Sequence, residues 1–194
     1  MIIKTRFSSD QEMETARREE ITRTRSIELD SIVPPAYLKT DPTRLEQNAL
    51  AEVLMWAATP KERTRNLVLG GTTGRGKTRL AWEAIKSRYM QHGGRPRSIG
   101  AETFARRMLR ETELIDKLAW ARILLIDDLG KERMTSTAES VIFELIRERT
   151  DNELPTIYTT NFDPPRLAKR FSEPETAGAI IRRLEENSLI IDLP

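Results

Sequence analysis

One eight-residue run restricts this chain more than any other part of it: Gly71-Thr72-Thr73-Gly74-Arg75-Gly76-Lys77-Thr78. The run meets every fixed position of the pattern G-x-x-x-x-G-K-[ST], and a short apolar stretch, Asn66 to Gly70, leads into it. Gly71, Gly74 and Gly76 let the backbone curl until successive N–H groups point inward, which suits phosphate oxygens, and a helix opening at Lys77 adds the positive end of its dipole. The whole loop, Thr72, Thr73 and Arg75 included, is therefore expected to cradle the phosphates of ATP. Lys77 is expected on the β- and γ-phosphates and the Thr78 hydroxyl in the shell of a Mg2+ ion. The plain alternative is a Gly-rich turn that matches by chance; the strand before it and the helix after it weigh against that.

A second signature follows. Ile123-Leu124-Leu125-Ile126-Asp127-Asp128 is an apolar strand that ends in two acids. Asp127 is expected to hold the metal, and Asp128 to act as general base toward the attacking water. The competing reading is a pair of acids that merely face solvent at a strand end. Further on, Tyr158-Thr159-Thr160-Asn161 closes another strand with a polar run. Strand ends of this kind line the ligand crevice of an open parallel sheet, which places Asn161 to orient the hydrolytic water. A bare turn asparagine is its structural alternative.

Periodicity sets these motifs on alternating elements. Helices are expected over Ser9–Arg25, Thr43–Ala58, Lys77–Met90, Glu102–Glu113, Ser136–Arg149 and Ala177–Glu186. The expected strands are Asn66–Gly70, Pro96–Gly100, Arg122–Ile126, Thr156–Thr159 and Leu189–Ile191. Five strands alternating with helices imply an α/β fold with a parallel sheet covered on both faces. Pro34-Pro35 separates a highly charged N-terminal arm, whose apolar residues Met13, Ala16 and Ile21 are sparse, from the rest. Ser136 and Glu139 read as a capping box. His92 reads as an exposed turn residue, and Trp56, Trp82 and Trp120 as core. Arg106, Arg107 and Arg110 read as a solvated helix face, with nucleic-acid contact as the alternative.

Composition excludes several classes. The 194 residues suffice for one well-cored domain. Cysteine is absent, which removes disulfides, thiolate metal sites and cysteine nucleophiles. No stretch nears the roughly 20 apolar residues needed to cross a bilayer, and the first residues lack a secretory core, so a cytoplasmic setting without membrane is expected. The net charge is only +2, yet 24 of the 32 basic residues are Arg, the planar fork suited to phosphates and interfaces.

Together these pieces resemble the AAA+ ATPases of the DnaC/DnaI-type bacterial helicase-loader family and the related IstB transposition helpers. The resemblance runs from Ile32 to the C-terminus. It rests on Ile32-Val33-Pro34-Pro35-Ala36-Tyr37 leading to Asn48, on Leu69 to Thr78, on Ile123 to Gly130, on Pro155 to Asn161 and on Ile181-Arg182-Arg183-Leu184. It implies an AAA+ P-loop domain over residues 32–194, a five-stranded parallel sheet sandwiched by helices without a C-terminal helical lid; the charged arm over 1–31 before it reads as a tail or as a segment that docks on a helicase. Arg183, with Arg182 beside it, matches the arginine finger that reaches a neighbouring subunit's γ-phosphate, and Asn161 matches the sensor residue. The implied function is ATP-dependent loading of a DnaB-like replicative DNA helicase onto single-stranded DNA by a homo-oligomer formed with ATP. An IstB-like transposition helper shares every motif. Asp128 in place of glutamate also admits a weakly hydrolysing, nucleotide-gated adaptor. A small-molecule kinase is disfavoured by the long segment before Asn66 and by the lack of a phosphate-gripping lid.

Overall fold

The computed structural model describes residues 3–60, 65–108, 110–131 and 135–194. The chain divides into two units, Met1–Lys39 and Thr40–Pro194. In the first, α1 spans Ile3–Ile32 and a single turn, α2, spans Pro35–Leu38. The helix runs past the expected Arg25 because no glycine or proline interrupts it before Pro34. Glu14 and Arg18 pair at 3.0 Å one turn apart. Residues 11–24 are exposed all round, so this stretch of α1 carries no apolar stripe.

The second unit begins with a short 3-10 turn, Pro42–Arg44, where Asp41 accepts from the Thr43 N–H. The helix expected from Thr43 starts later, as α3 (Gln47–Ala58), because the Glu46 carboxylate caps it by accepting from Asn48 and Ala49. The remaining elements follow in order: β1 (Asn66–Gly71), α4 (Lys77–His92), β2 (Pro96–Gly100), α5 (Ala101–Arg107), α6 (Thr112–Ala119), β3 (Ile123–Leu129), α7 (Ser136–Asp151), β4 (Thr156–Thr160), α8 (Pro164–Ala168), α9 (Pro174–Glu186) and β5 (Ser188–Leu193). All five strands are parallel and lie in the order β2-β3-β4-β1-β5. The α/β class and the five-stranded parallel sheet expected from the sequence are what the chain adopts.

Strand parity divides the core. Val68, Leu124, Ile126 and Tyr158 face Phe104, Ile142, Leu145, Ile146, Ile180 and Leu184 of the helices after β2. Leu67, Leu69, Leu125 and Ile157, of opposite parity, are equally buried, and α4 packs against β1, β3 and β4.

Several expectations need correction. The helix expected over Glu102–Glu113 is two, α5 and α6, and the break lets Phe104 and Met108 of one segment and Leu118 and Ala119 of the other enter the same core. Ser136 and Glu139 form no capping box. Thr135 is the cap, accepting from the Ala138 N–H at 3.3 Å, while buried Glu139 turns away to accept from the backbone N–H and hydroxyl of Ser172. Trp56 and Trp82 are buried, but Trp120 is 61% exposed, since it lies across the helix end from buried Leu118. His92 ends α4 half-buried rather than in solvent, because the helix runs two residues further than expected, to a left-handed Gly93. Among the described residues no helix is long and apolar enough to cross a membrane.

Candidate functional site

The strand β1 delivers the glycine loop to the C-terminal edge of the sheet. Gly71 has φ 120°, and a Cβ there would sit 2.3 Å from the Leu193 carbonyl oxygen of β5, so only glycine fits. Gly76 (φ 85°) caps α4 without offering a side-chain acceptor, leaving the first-turn N–H groups to face the loop. Thr72, Thr73, Gly74 and Arg75 form its exposed rim, where Arg75 Nε donates to Thr72 Oγ1 at 3.3 Å. Lys77 is buried and crosses underneath: its Nζ donates to the carbonyls of Gly71 and Thr72, both at 2.7 Å. Burial lowers its pKa from the ordinary lysine value, and the charges of Asp128 and Asp127 oppose that shift. Both carboxylates therefore act on the ammonium.

Regular alternation would send Asp127 and Asp128 to opposite faces of β3. The register between β3 and β4 slips between Ile126 and Leu129, and Asp128 takes φ 58°, the left-handed region. This bulge re-aims the second acid. Asp127 keeps the parity of Leu125 and points to the α4 side, where its Oδ1 accepts from Thr78 Oγ1 at 3.0 Å and from Thr159 Oγ1 at 2.6 Å. The Asp128 N–H donates to the same Thr159 oxygen at 2.8 Å, and Lys131 Nζ donates to Asp128 Oδ2 at 3.0 Å. One hydroxyl and one carboxylate, brought together from α4 and β3, form a hard oxygen donor set. Mg2+ uses such a set when phosphate oxygens and water fill its remaining positions. Among the described residues no cluster of three acidic, histidine or cysteine ligands offers an all-protein metal cage.

A model of the family described as IstB-like ATP binding protein matches residues 40–193 of this sequence. The chain belongs to that family. Its ATP-binding domain thus coincides with the second unit, and the glycine loop, Thr78 and the acid pair all lie inside the match. Among curated relatives of this IstB-like chain, the replicative helicase loader DnaI of Bacillus subtilis is 27% identical over 140 residues, covering 69% of the chain and 45% of the relative. The insertion sequence IS21 ATP-binding protein of Pseudomonas aeruginosa is 28% identical over 138 residues, covering 68% and 51%. The chain spans about half the length of the curated relatives it matches. A crystal structure of DnaI shares its fold with a TM-score of 0.72 at 22% identity, over 84% of this chain and 95% of that one. That fold is the AAA+ P-loop arrangement.

The other two expected site residues of this IstB-like domain stand apart. Asn161 follows β4 directly and is half-buried at the same sheet edge, but no hydrogen bond ties its side chain to the cluster of Lys77, Thr78, Asp127 and Asp128 among the described residues. Arg183 lies on α9, where its guanidinium covers the Phe143 ring at 5.1 Å and donates to the Ala179 carbonyl at 3.1 Å. Arg182 is exposed, 3.6 Å from Glu186.

Three residues to which sequence reasoning gave no role at the acid pair are built into the same edge; of them, Arg170 was expected only as a fallback for the arginine finger. Thr159 and Lys131 hold the acid pair as described. Arg170 donates to the carbonyls of Gly130 and Lys131 at 2.7 and 2.8 Å and stacks on Phe162, which fixes the turn that follows Asp128. Thr159 left one signal in the sequence, a hydroxyl of the strand parity that faces α4; Arg170 left none.

Proposed function

We propose that the chain is a Mg2+-dependent ATPase whose nucleotide cycle loads a DnaB-like replicative DNA helicase onto single-stranded DNA. The observation that carries the hydrolytic part is the joining of Thr78, Thr159 and Asp127 at one carboxylate oxygen, beside a second acid that a bulge has turned toward Lys77. Lys77 would sit against the β- and γ-phosphates, and Thr78 and Asp127 would hold the ion. When bound, Mg2+ neutralises charge on the phosphate oxygens. Asp128 would accept the proton of the attacking water, and Asn161 would orient that water. Arg183 would complete the site of a neighbouring subunit in a homo-oligomer formed with ATP, which requires its guanidinium to leave the Phe143 ring.

The loading role is supported by the likeness to DnaI and by α1, a polar helix suited to docking through charge. The IS21 ATP-binding protein, matched at the same level of identity, favours a second reading as a transposition helper. Contact with single-stranded DNA is assigned to the exposed surface of α5 and the turn after it. There Arg106 lies 3.8 Å from Glu102 and Arg107 pairs with Glu111 at 2.6 Å, which leaves Arg110, in the turn, the least compensated of the three among the described residues.

The deciding experiment measures ATP turnover by the full chain alone, with single-stranded DNA and with a replicative helicase, and scores helicase deposited on circular single strands. ATP-dependent deposition is the expected result. Turnover that responds to a transposase and never to a helicase would select the transposition reading, and absence of any turnover would leave a nucleotide-gated adaptor.

A further inference from the structure

A hydroxyl has one proton to give and lone pairs with which to accept. At Thr159 both capacities are committed. The proton goes to Asp127 Oδ1 at 2.6 Å, the short length typical of a hydroxyl on a charged carboxylate, and a lone pair accepts the Asp128 N–H at 2.8 Å. The side chain is fully buried, so no water competes for either bond. It follows that one atom, Oγ1 of Thr159, holds both the carboxylate of Asp127 and the backbone of Asp128. That atom sits on β4, on a different strand from both acids.

We infer that Thr159 is a positioning residue that couples the ion-holding acid to the water-activating acid. The bulge at Asp127–Asp128 costs β3 a regular ladder bond and puts a non-glycine residue at φ 58°. The Asp128 N–H, displaced from the ladder, finds its acceptor in the Thr159 hydroxyl. Lys131 closes the turn on the other side, its N–H on the Asp128 carbonyl and its Nζ on the carboxylate, but only the Thr159 hydroxyl takes the displaced Asp128 N–H among the described residues, and a regular strand would carry the carboxylate to the opposite sheet face. The same loss removes one of the two donors that orient Asp127, whose Thr78 bond remains. Both effects come from one hydroxyl, so they appear and disappear together. In its kinetic part this inference rests on the ATPase reading above.

The test compares Thr159→Val, which keeps the shape and removes the hydroxyl, with Thr159→Ser, which keeps the hydroxyl, in the full chain. Binding of a fluorescent ATP analogue is titrated with EDTA present and again across a Mg2+ series, and kcat and KM are measured separately. Thr159→Val should bind the analogue normally in EDTA, need more Mg2+ for the same affinity, and lose about 100-fold in kcat with little change in KM, the scale of a misplaced catalytic group. Thr159→Ser should recover both properties. If Val destabilises the fold, Thr159→Ala takes its place in the same comparison. A valine variant with unaltered Mg2+ dependence and kcat would overturn the coupling, as would a serine variant as impaired as valine at equal thermal stability. If the parent chain binds nucleotide and never hydrolyses it, the ATPase reading fails by itself. The Mg2+ series then decides on Thr159 alone, a parallel shift for Val and none for Ser sustaining the inference.

Discussion

Thr78 and Asp127 belong to different elements 49 residues apart, yet the threonine hydroxyl donates to the aspartate carboxylate at 3.0 Å. This hydroxyl–carboxylate pair, the one proposed to hold the ion, is thus assembled by the sheet, with α4 bringing the hydroxyl and β3 the charge. Neither half is useful without the register that sets them side by side.

Asp127→Asn should therefore separate fold from ion binding. An asparagine carbonyl can accept from both Thr78 and Thr159, so the thermal midpoint should hold, but the charge is gone. Nucleotide affinity measured with and without Mg2+ should become equal in the variant while differing in the parent. A variant that still gains affinity from Mg2+ would show that another acid holds the ion.

Lys77→Met should lose nucleotide binding and one source of pH-dependent stability. Burial lowers the Lys77 pKa, so the folded chain holds this proton less tightly than the unfolded chain does. Such a group binds more protons unfolded than folded just below the ordinary lysine value, which makes stability rise with pH through that window and makes the charged form a cost at neutral pH. A neutral isostere removes this pH dependence while leaving the Gly71 and Thr72 carbonyls without their donor. Stability of Lys77→Met that still rises through the alkaline window as steeply as the parent's would contradict this account.

Arg149 is fully buried, and among the described residues no carboxylate pairs with it. Its guanidinium donates to the carbonyls of Leu118, Ala119, Ala121 and Pro155 and to the Thr156 hydroxyl, at 2.7 to 2.9 Å. Arg149→Met should leave these acceptors unpaired and cost about 3 kcal/mol or more. Arg149→Lys should not rescue, since a compact ammonium cannot span the acceptors of the planar fork. Urea denaturation of the two variants reads this directly, and a lysine variant as stable as the parent would refute it.

Alkaline stability should depend on Tyr158. Burial raises its pKa to about 12 from the ordinary 10.0, so its stabilisation is complete below pH 10 and is lost as pH climbs through the folded value. The loss amounts to about 2–3 kcal/mol over that interval. Burial pulls the Arg149 pKa down to about 10, which acts with the opposite sign in the same range, but Arg149 is present in both parent and Tyr158→Phe. Stability measured from pH 9 to 12 should fall more steeply in the parent than in the phenylalanine variant; equal slopes would exclude Tyr158 as the source.

Arg183→Ala and Lys77→Ala should each be inactive and should restore one another when mixed. The first keeps an intact glycine loop and the second keeps an intact arginine, so a mixed interface contains one complete site. An arginine finger contributes about 10³–10⁵ in rate, which makes even partial restoration measurable. No recovery in demonstrably mixed assemblies would place Arg183 in its own protomer's fold, as a cover for Phe143.

The glycine loop and the acid pair were legible in the sequence because their chemistry is local: fixed residue types at fixed spacing, between an apolar strand and a helix. The parallel sheet was implied by alternation, whereas its strand order was not. The roles of Thr159, Arg170 and Arg149 were not legible, because each reaches at least one partner more than two dozen positions away that nothing near it in the chain marks. Glu139 misled for a related reason. Its spacing from Ser136 satisfied a local rule, but the backbone of Ser172 offered a buried partner that outweighed it. The bulge at Asp128 is invisible to periodicity, which assumes the regularity that the bulge breaks.

The pairing of β5 with β1 has a consequence for synthesis on the ribosome. Asn66 to Gly71 bond along their full length to Ser188 to Leu193, so the strand that carries the glycine loop receives one of its two neighbours only when the fifth strand has been translated. Until then β1 is a sheet edge and Gly71 lacks the Leu193 carbonyl that closes over it. A nascent chain exposes the loop early but completes its seat last, and nucleotide capture is thereby deferred until translation has passed Leu193.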